Sequence, residues 1–158
     1  MSDEKVRAYT SYLEECFHGE TNGEALFRVL ADASTSDDAR RKLRVLEQLE
    51  RETKEFLRAA LVAEGRSIHD EPKHVADGEK LGHRLSKLTW HELMNVFEPS
   101  LVRFVERFEQ SEQLAPPGKQ HVLQHFTAHE RALLEFTKHE LEGRHADSLT
   151  PVVALLRE

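Results

Sequence analysis

Four glutamates stand where apolar side chains belong. Between residues 6 and 31 a row at three-to-four spacing reads Val6, Thr10, Leu13, Phe17, Glu20, Glu24, Phe27, Ala31, interrupted by two carboxylates. A second row, Ala39, Leu43, Leu46, Glu50, Thr53, Leu57, Ala60, has Glu50 at its middle. Glu98 interrupts Met94, Leu101, Val105 and Phe108, and Glu130 interrupts Leu123, Phe126, Leu133, Thr137 and Leu141. An unpaired buried carboxylate costs several kcal/mol, so such groups must be protonated, paired with cations or bound to metal. His129 adjoins Glu130 on a further row, Val122, Phe126, His129, Leu133, Phe136. Imidazole together with carboxylate suits iron, manganese or zinc. The candidate ligands are therefore Glu20, Glu50, Glu98, Glu130 and His129, with Glu24 and Glu47 within reach of the same layer. His125, one turn before His129, makes a histidine pair with it at i, i+4 spacing.

The elements that must position these groups are all helical, because apolar residues recur every three or four positions and no period-two run is present. The first helix is expected from Asp3 to Ala33, stopped by Ser34–Thr35–Ser36–Asp37–Asp38, which also supplies N-cap oxygens to the next. A second runs from Asp38 to Glu64 and ends at Gly65, suited to a left-handed C′ position. The segment from Arg66 to Gly78 holds Pro72 and has no sustained periodicity. A third helix is expected from Glu79 to Glu112 with Pro99 inside it, then a break at Leu114–Gly118, a fourth helix from Lys119 to Glu142 closed by Gly143, and a short fifth with Thr150 as N-cap and Pro151 in the first turn.

Two of the connections are short enough for tight antiparallel pairs. The 13 residues from Arg66 to Gly78 can just span a helix of about 39 Å, which favours two hairpins joined by a lengthwise crossover over a loop confined to one end. Glu20 and Glu50 lie equally far from the first turn, and Glu98 and Glu130 equally far from the second, so all four are expected in one layer.

This arrangement resembles the ferritin-like superfamily, in which two helical hairpins hold a di-iron or di-manganese centre with single glutamates on the first and third helices and a Glu-x-x-His on the second and fourth. The resemblance implies that Glu20 and Glu98 occupy the single-glutamate positions and that Glu50 and Glu130 begin the two motifs. Both motif histidines are absent: Thr53 and Leu133 stand in their places. What it implies is one ferritin-like four-helix bundle domain over residues 1–158, with a short C-terminal helix and oxygen or peroxide chemistry at a carboxylate-held metal. The competing expectation is a non-catalytic interaction or scaffold bundle whose glutamates share protons or pair with Arg28, Lys54, Arg103 or His129. A small-molecule binder using the space between the hairpins is a third.

Composition narrows the remaining classes. The chain is 39% apolar and 32% charged with a net charge of −7 and interleaved signs, which leaves no basic stripe for nucleic acid. Apolar runs fall far short of the roughly 18 residues of a membrane span. Met1–Lys5 lack the pattern of a secretory signal and Cys16 is alone, so a reducing cytoplasm is the expected compartment. Association is expected as a homodimer through an exposed helix face. Gly19 and Gly23 inside the first helix leave room for a ligand or for a close helix approach. No Gly-rich phosphate loop or placeable Ser-His-Asp set supports a nucleotide-binding or hydrolase reading.

Overall fold

The structure, a computed structural model, describes residues 2–157. Six α-helices form: α1 (Asp3–Ala33), α2 (Asp37–Ala63), α3 (Pro72–Leu85), α4 (Trp90–Ser111), α5 (Gln120–Leu141) and α6 (Thr150–Val153), with a 3₁₀ turn at Glu112–Leu114. No strand occurs among the described residues. Ser2 caps α1 by accepting from the backbone of Lys5, and Ser36 caps α2 by accepting from Ala39. Gly65 and Gly143 take positive φ (76° and 78°) just past α2 and α5, as expected of C′ glycines. Behind Gly65 the Arg66 and Gly65 amides return to the carbonyls of Leu61 and Val62, satisfying the last turn of α2.

The third predicted helix is in fact two, and the segment before it is not an irregular loop. Pro72 opens α3, because its fixed φ and missing N–H suit the first helical turn. The chain then breaks between Leu85 and Trp90. There a capping box starts α4: Thr89 accepts from the Glu92 amide while the Glu92 carboxylate accepts from the Thr89 amide. At the C-terminus, Thr150 is the first helical residue of α6 and Leu149 its cap.

Contacts between helices give their directions. Gly78 lies against Asn22 and Gly82 against Val29, so α3 runs parallel to α1. Phe27 meets Phe97, and Glu15 pairs with Arg107, so α4 runs antiparallel to α1. Thr53 meets His129 and Lys42 meets Glu140, so α5 runs antiparallel to α2. Hence α2 and α4 point the same way, and the chain between them crosses the length of the bundle with α3 laid along α1. The close approach is made by glycines: a β-carbon at Gly78 would fall 2.2 Å from the Asn22 carbonyl oxygen, and one at Gly82 would fall 2.8 Å from Val29 Cβ.

The hydrophobic core is divided. One part gathers Leu26, Leu30, Leu43, Leu46, Met94, Leu133, Phe136 and Val152; the other gathers Tyr9, Leu13, Phe17, Leu57, Leu61, Leu123 and Phe126. Between them in the chain's register lies a buried polar layer of Glu20, Glu50, Thr53, His129 and Glu130.

Candidate metal centre

Each polar group of this layer is carried by an uninterrupted helix, so backbone geometry places it. α1 carries Glu20, α2 carries Glu50 and Thr53 one turn apart, and α5 carries His129 and Glu130. Nε2 of His129 lies 3.5 Å from a Glu20 oxygen, 3.6 Å from a Glu50 oxygen and 3.7 Å from a Glu130 oxygen. These separations are too long for hydrogen bonds. They are close to the edge of about 3.4 Å expected between ligands tetrahedrally arranged at 2.0–2.2 Å around one ion. Donor atoms of Glu20, Glu50 and His129 all lie within 4.8 Å of one another. Glu20 Oε2 and His129 Nε2 are buried and have no hydrogen-bond partner.

Behind the imidazole, Thr53 Oγ1 lies 2.6 Å from His129 Nδ1. With the Nδ1 proton donated to that hydroxyl, Nε2 turns a lone pair toward the three carboxylates. Thr53 thus stands where a Glu-x-x-His motif would carry its histidine, and its partner in that space is His129. The single imidazole comes from the residue before Glu130 rather than from three after it.

Electrostatics follow from burial. Removal from water pushes the Glu20 carboxyl well above the ordinary range, and the charges of Glu50 and Glu130 push further. Burial also raises Glu130 to about 7, with Glu50 adding and His129 opposing. Burial disfavours charge on His129, yet Glu50 and Glu130 outweigh it and the imidazole pKa is raised. Without a cation, the layer therefore holds protons at neutral pH.

Glu98 is not brought into this layer. It is half-buried on α4, whose Phe97, Leu101, Phe104 and Phe108 line the cavity, while Met94 and Val105 of its own row are buried. The two rows share Leu101 and Phe108, and Glu98 belongs neither to the cavity lining nor to the ligand cluster. Glu24 and Glu47 are otherwise engaged: Glu24 pairs with Lys54 at 2.8 Å, and Glu47 with Arg44 at 3.0 Å. His125 packs tilted against Phe56, ring centroids 4.2 Å apart, and lines a second, small cavity behind Thr53 and His129.

The carboxylates of Glu20, Glu50 and Glu130 line a cavity of about 650 Å³ bounded by α1 to α5, as do Glu15, His18, His74 and Arg107. Phe27, Phe97, Phe104, Phe108, Phe126 and Phe136 line much of the rest. Such a volume suits a small organic molecule. Gly19 and Gly23 lie on the cavity wall. Cys16 is there too, but burial pushes its thiol upward, so it is no ready nucleophile.

No protein-family model, curated protein or solved structure matches the chain. The site must therefore be judged on its own chemistry. A second buried polar cluster shows what full satisfaction looks like. Lys42 is buried and bonds Glu140 at 2.7 Å, while Trp90 Nε1 and His145 Nδ1 each lie 2.8 Å from the other Glu140 oxygen. Burial alone would raise Glu140, yet hydrogen bonds from Lys42, Ser148, Trp90 and His145 hold it below the usual range. Glu20 is as buried and has none of these partners. The signal available for this pair was positional: Lys42 is one turn before Leu46, and Glu140 one turn after Phe136, each extending a buried stripe.

Proposed function

We propose that this chain is a ferritin-like helical bundle that binds one divalent iron or manganese ion at Glu20, Glu50, His129 and Glu130 and uses it in oxygen or peroxide chemistry. The observation that carries the reading is the pair of buried, unpartnered donor atoms, Glu20 Oε2 and His129 Nε2, facing one another among three carboxylates. A cation in their midst satisfies both and removes the cost of burying them. The donors fit one ion; with Glu98 elsewhere and a single imidazole, they fall short of the paired centre that the family resemblance implies.

A bound iron or manganese ion supplies electron transfer to oxygen or peroxide. The protein's own residues do the rest. Thr53 fixes the tautomer and plane of His129. Glu130, raised to about 7, holds or gives up a proton at its carboxyl near neutral pH. The phenylalanine wall keeps water away and offers an apolar molecule a place beside the carboxylates. A homodimer belongs to the proposal as well, with the α4 face at the cavity rim, where Val96 and Phe104 line the cavity and stay partly exposed, as the face to test by sedimentation.

Metal content after purification with added iron or manganese tests the reading, alongside Glu50→Gln and His129→Gln. About one ion per chain in the parent and a clear loss in both variants are expected. Parent protein with no metal above background would sink it. A second reading rests on the raised carboxyl pKa values: a metal-free scaffold whose glutamates share protons. It requires Glu50→Leu to be at least as stable as the parent, since apolar replacement of a buried polar layer is often neutral or stabilising.

A further inference from the structure

A separate donor set lies where α3 crosses α1. His18 on α1 and His74 in the first turn of α3 are stacked, with ring centroids 4.3 Å apart and planes inclined by 20°. Both turn Nε2 toward the carboxylate of Glu71: His18 to one oxygen at 3.8 Å and His74 to the other at 3.6 Å. Glu71 is the N-cap residue of α3, yet its side chain makes no capping bond. The carboxylate has left the helix end and faces the two imidazoles instead.

The placement is rigid. One turn beyond His18 and His74 come Asn22 and Gly78, and a further turn brings Leu26 and Gly82, so the two helices run in matched register. At each later step the glycine lets the backbones approach within contact of Asn22, Leu26 and Val29. Small residues on α3 thus fix how far His74 stands from His18.

We propose that His18, Glu71 and His74 form a second divalent-metal site, selective for ions that favour imidazole, such as Zn²⁺, which clasps the start of α3 onto α1. The three donor atoms lie within 4.8 Å of one another. Rotation of the rings and a closing-up of the three donors would bring them to the ligand spacing of a Zn²⁺ ion, the fourth position remaining for water. Two imidazoles and one carboxylate are softer donors than the acidic interior layer, which separates the two sites by metal preference. Ligation through Nε2 leaves the Nδ1 proton of His18 in a buried position with no partner, so the affinity falls below that of a site with a complete outer shell.

The experiment is a titration of the whole protein with Zn²⁺, and with Co²⁺ read by visible absorption, in the parent, Glu50→Gln, His74→Ala and Glu71→Gln chains. The expected result is one Zn²⁺ retained in Glu50→Gln, with binding weakened at least tenfold in His74→Ala and several-fold in Glu71→Gln, their circular dichroism unchanged. Amide exchange in the first turn of α3 should slow on Zn²⁺ addition in the parent and not in His74→Ala. Equal Zn²⁺ affinity in parent and His74→Ala, or no Zn²⁺ bound by Glu50→Gln, overturns the proposal. Loss of iron or manganese in Glu50→Gln, with Zn²⁺ retained, reports on the interior centre alone.

Discussion

Gly23 lies directly beneath the Glu50 carboxylate: a β-carbon built on it would fall 2.8 Å from Glu50 Cδ and 3.0 Å from each carboxylate oxygen. A glycine in mid-helix costs about 1 kcal/mol relative to alanine. Here the absent side chain is what allows Glu50 to reach His129, 3.6 Å away. Gly23→Ala should displace the carboxylate and weaken Mn²⁺ or Fe²⁺ binding by about tenfold or more. The gain in helix propensity offsets part of an overpacking cost of about 1–3 kcal/mol. Metal titration beside urea unfolding checks this, and unchanged affinity in a folded variant would show that Glu50 is not a ligand.

Thr53→Val leaves volume nearly unchanged and removes the hydroxyl at Nδ1 of His129. The imidazole then loses the contact that orients it, and metal affinity should fall about 10–100-fold, while Thr53→Ser largely preserves it. A stability loss of about 1–3 kcal/mol is expected for Thr53→Val, from the buried ring nitrogen left unpaired. A variant that loses stability and keeps full metal affinity would make Thr53 a packing residue only.

The metal-free protein should become less stable as pH rises from about 5 to 7.5. Glu130 has a folded pKa of about 7 against 4.5 for the free side chain, so across that window the native state binds more protons than the unfolded one. Stability associated with the captured proton is full below the unfolded value and is lost as pH rises through the folded one. At about 1.4 kcal/mol per pKa unit, the effect is on the order of 3 kcal/mol, and the raised Glu20 and His129 act in the same sense. Urea midpoints in chelator at the two pH values measure it. Glu130→Gln should flatten the dependence, and saturating Mn²⁺ should reverse it, because ligation favours the deprotonated carboxylates.

Lys42→Met should cost about 3 kcal/mol or more at neutral pH, because it leaves the buried Glu140 carboxylate without its cation. The depressed pKa of Glu140 gives the opposite pH behaviour to Glu130: its contribution is present above the unfolded carboxyl pKa and disappears as pH falls through the lower, folded value. Chemical unfolding at neutral pH gives the first quantity. Equal stability of parent and variant would mean that Trp90, His145 and Ser148 suffice to hold the charge.

The interior carboxylates were legible because periodicity marks which positions are buried, and a glutamate at such a position is a conflict visible without coordinates. Glu20, Glu50 and Glu130 were identified in this way. Glu98 shows where the reasoning fails: α4 has two apolar rows that overlap at Leu101 and Phe108, and only packing against α1 and α5 decides which of their positions reach the layer. The break before Trp90 was written in the Thr89–Glu92 capping box, but continuing apolar spacing on both sides concealed it. His18 and His74 are 56 positions apart and belong to no shared periodicity; their meeting depends on Gly78 and Gly82 letting α3 lie against α1. Lys42 is hard to read from sequence because it follows Arg40 and Arg41, which stay half-buried and exposed, and composition cannot separate one cation from another.

The donors of the interior layer are split between the two ends of the chain, Glu20 and Glu50 on the first helical pair and His129 and Glu130 on the second. Each pair is closed by a short turn and can form from local contacts, whereas their union joins residues far apart in sequence, such as Glu20 and Glu130. As the halves meet, carboxylates confront carboxylates before water has fully left. Assembly is therefore opposed by like charge at the moment of docking, and either protons or a divalent cation would speed it. Refolding rate, rather than equilibrium stability alone, becomes the quantity through which pH and metal act on this bundle.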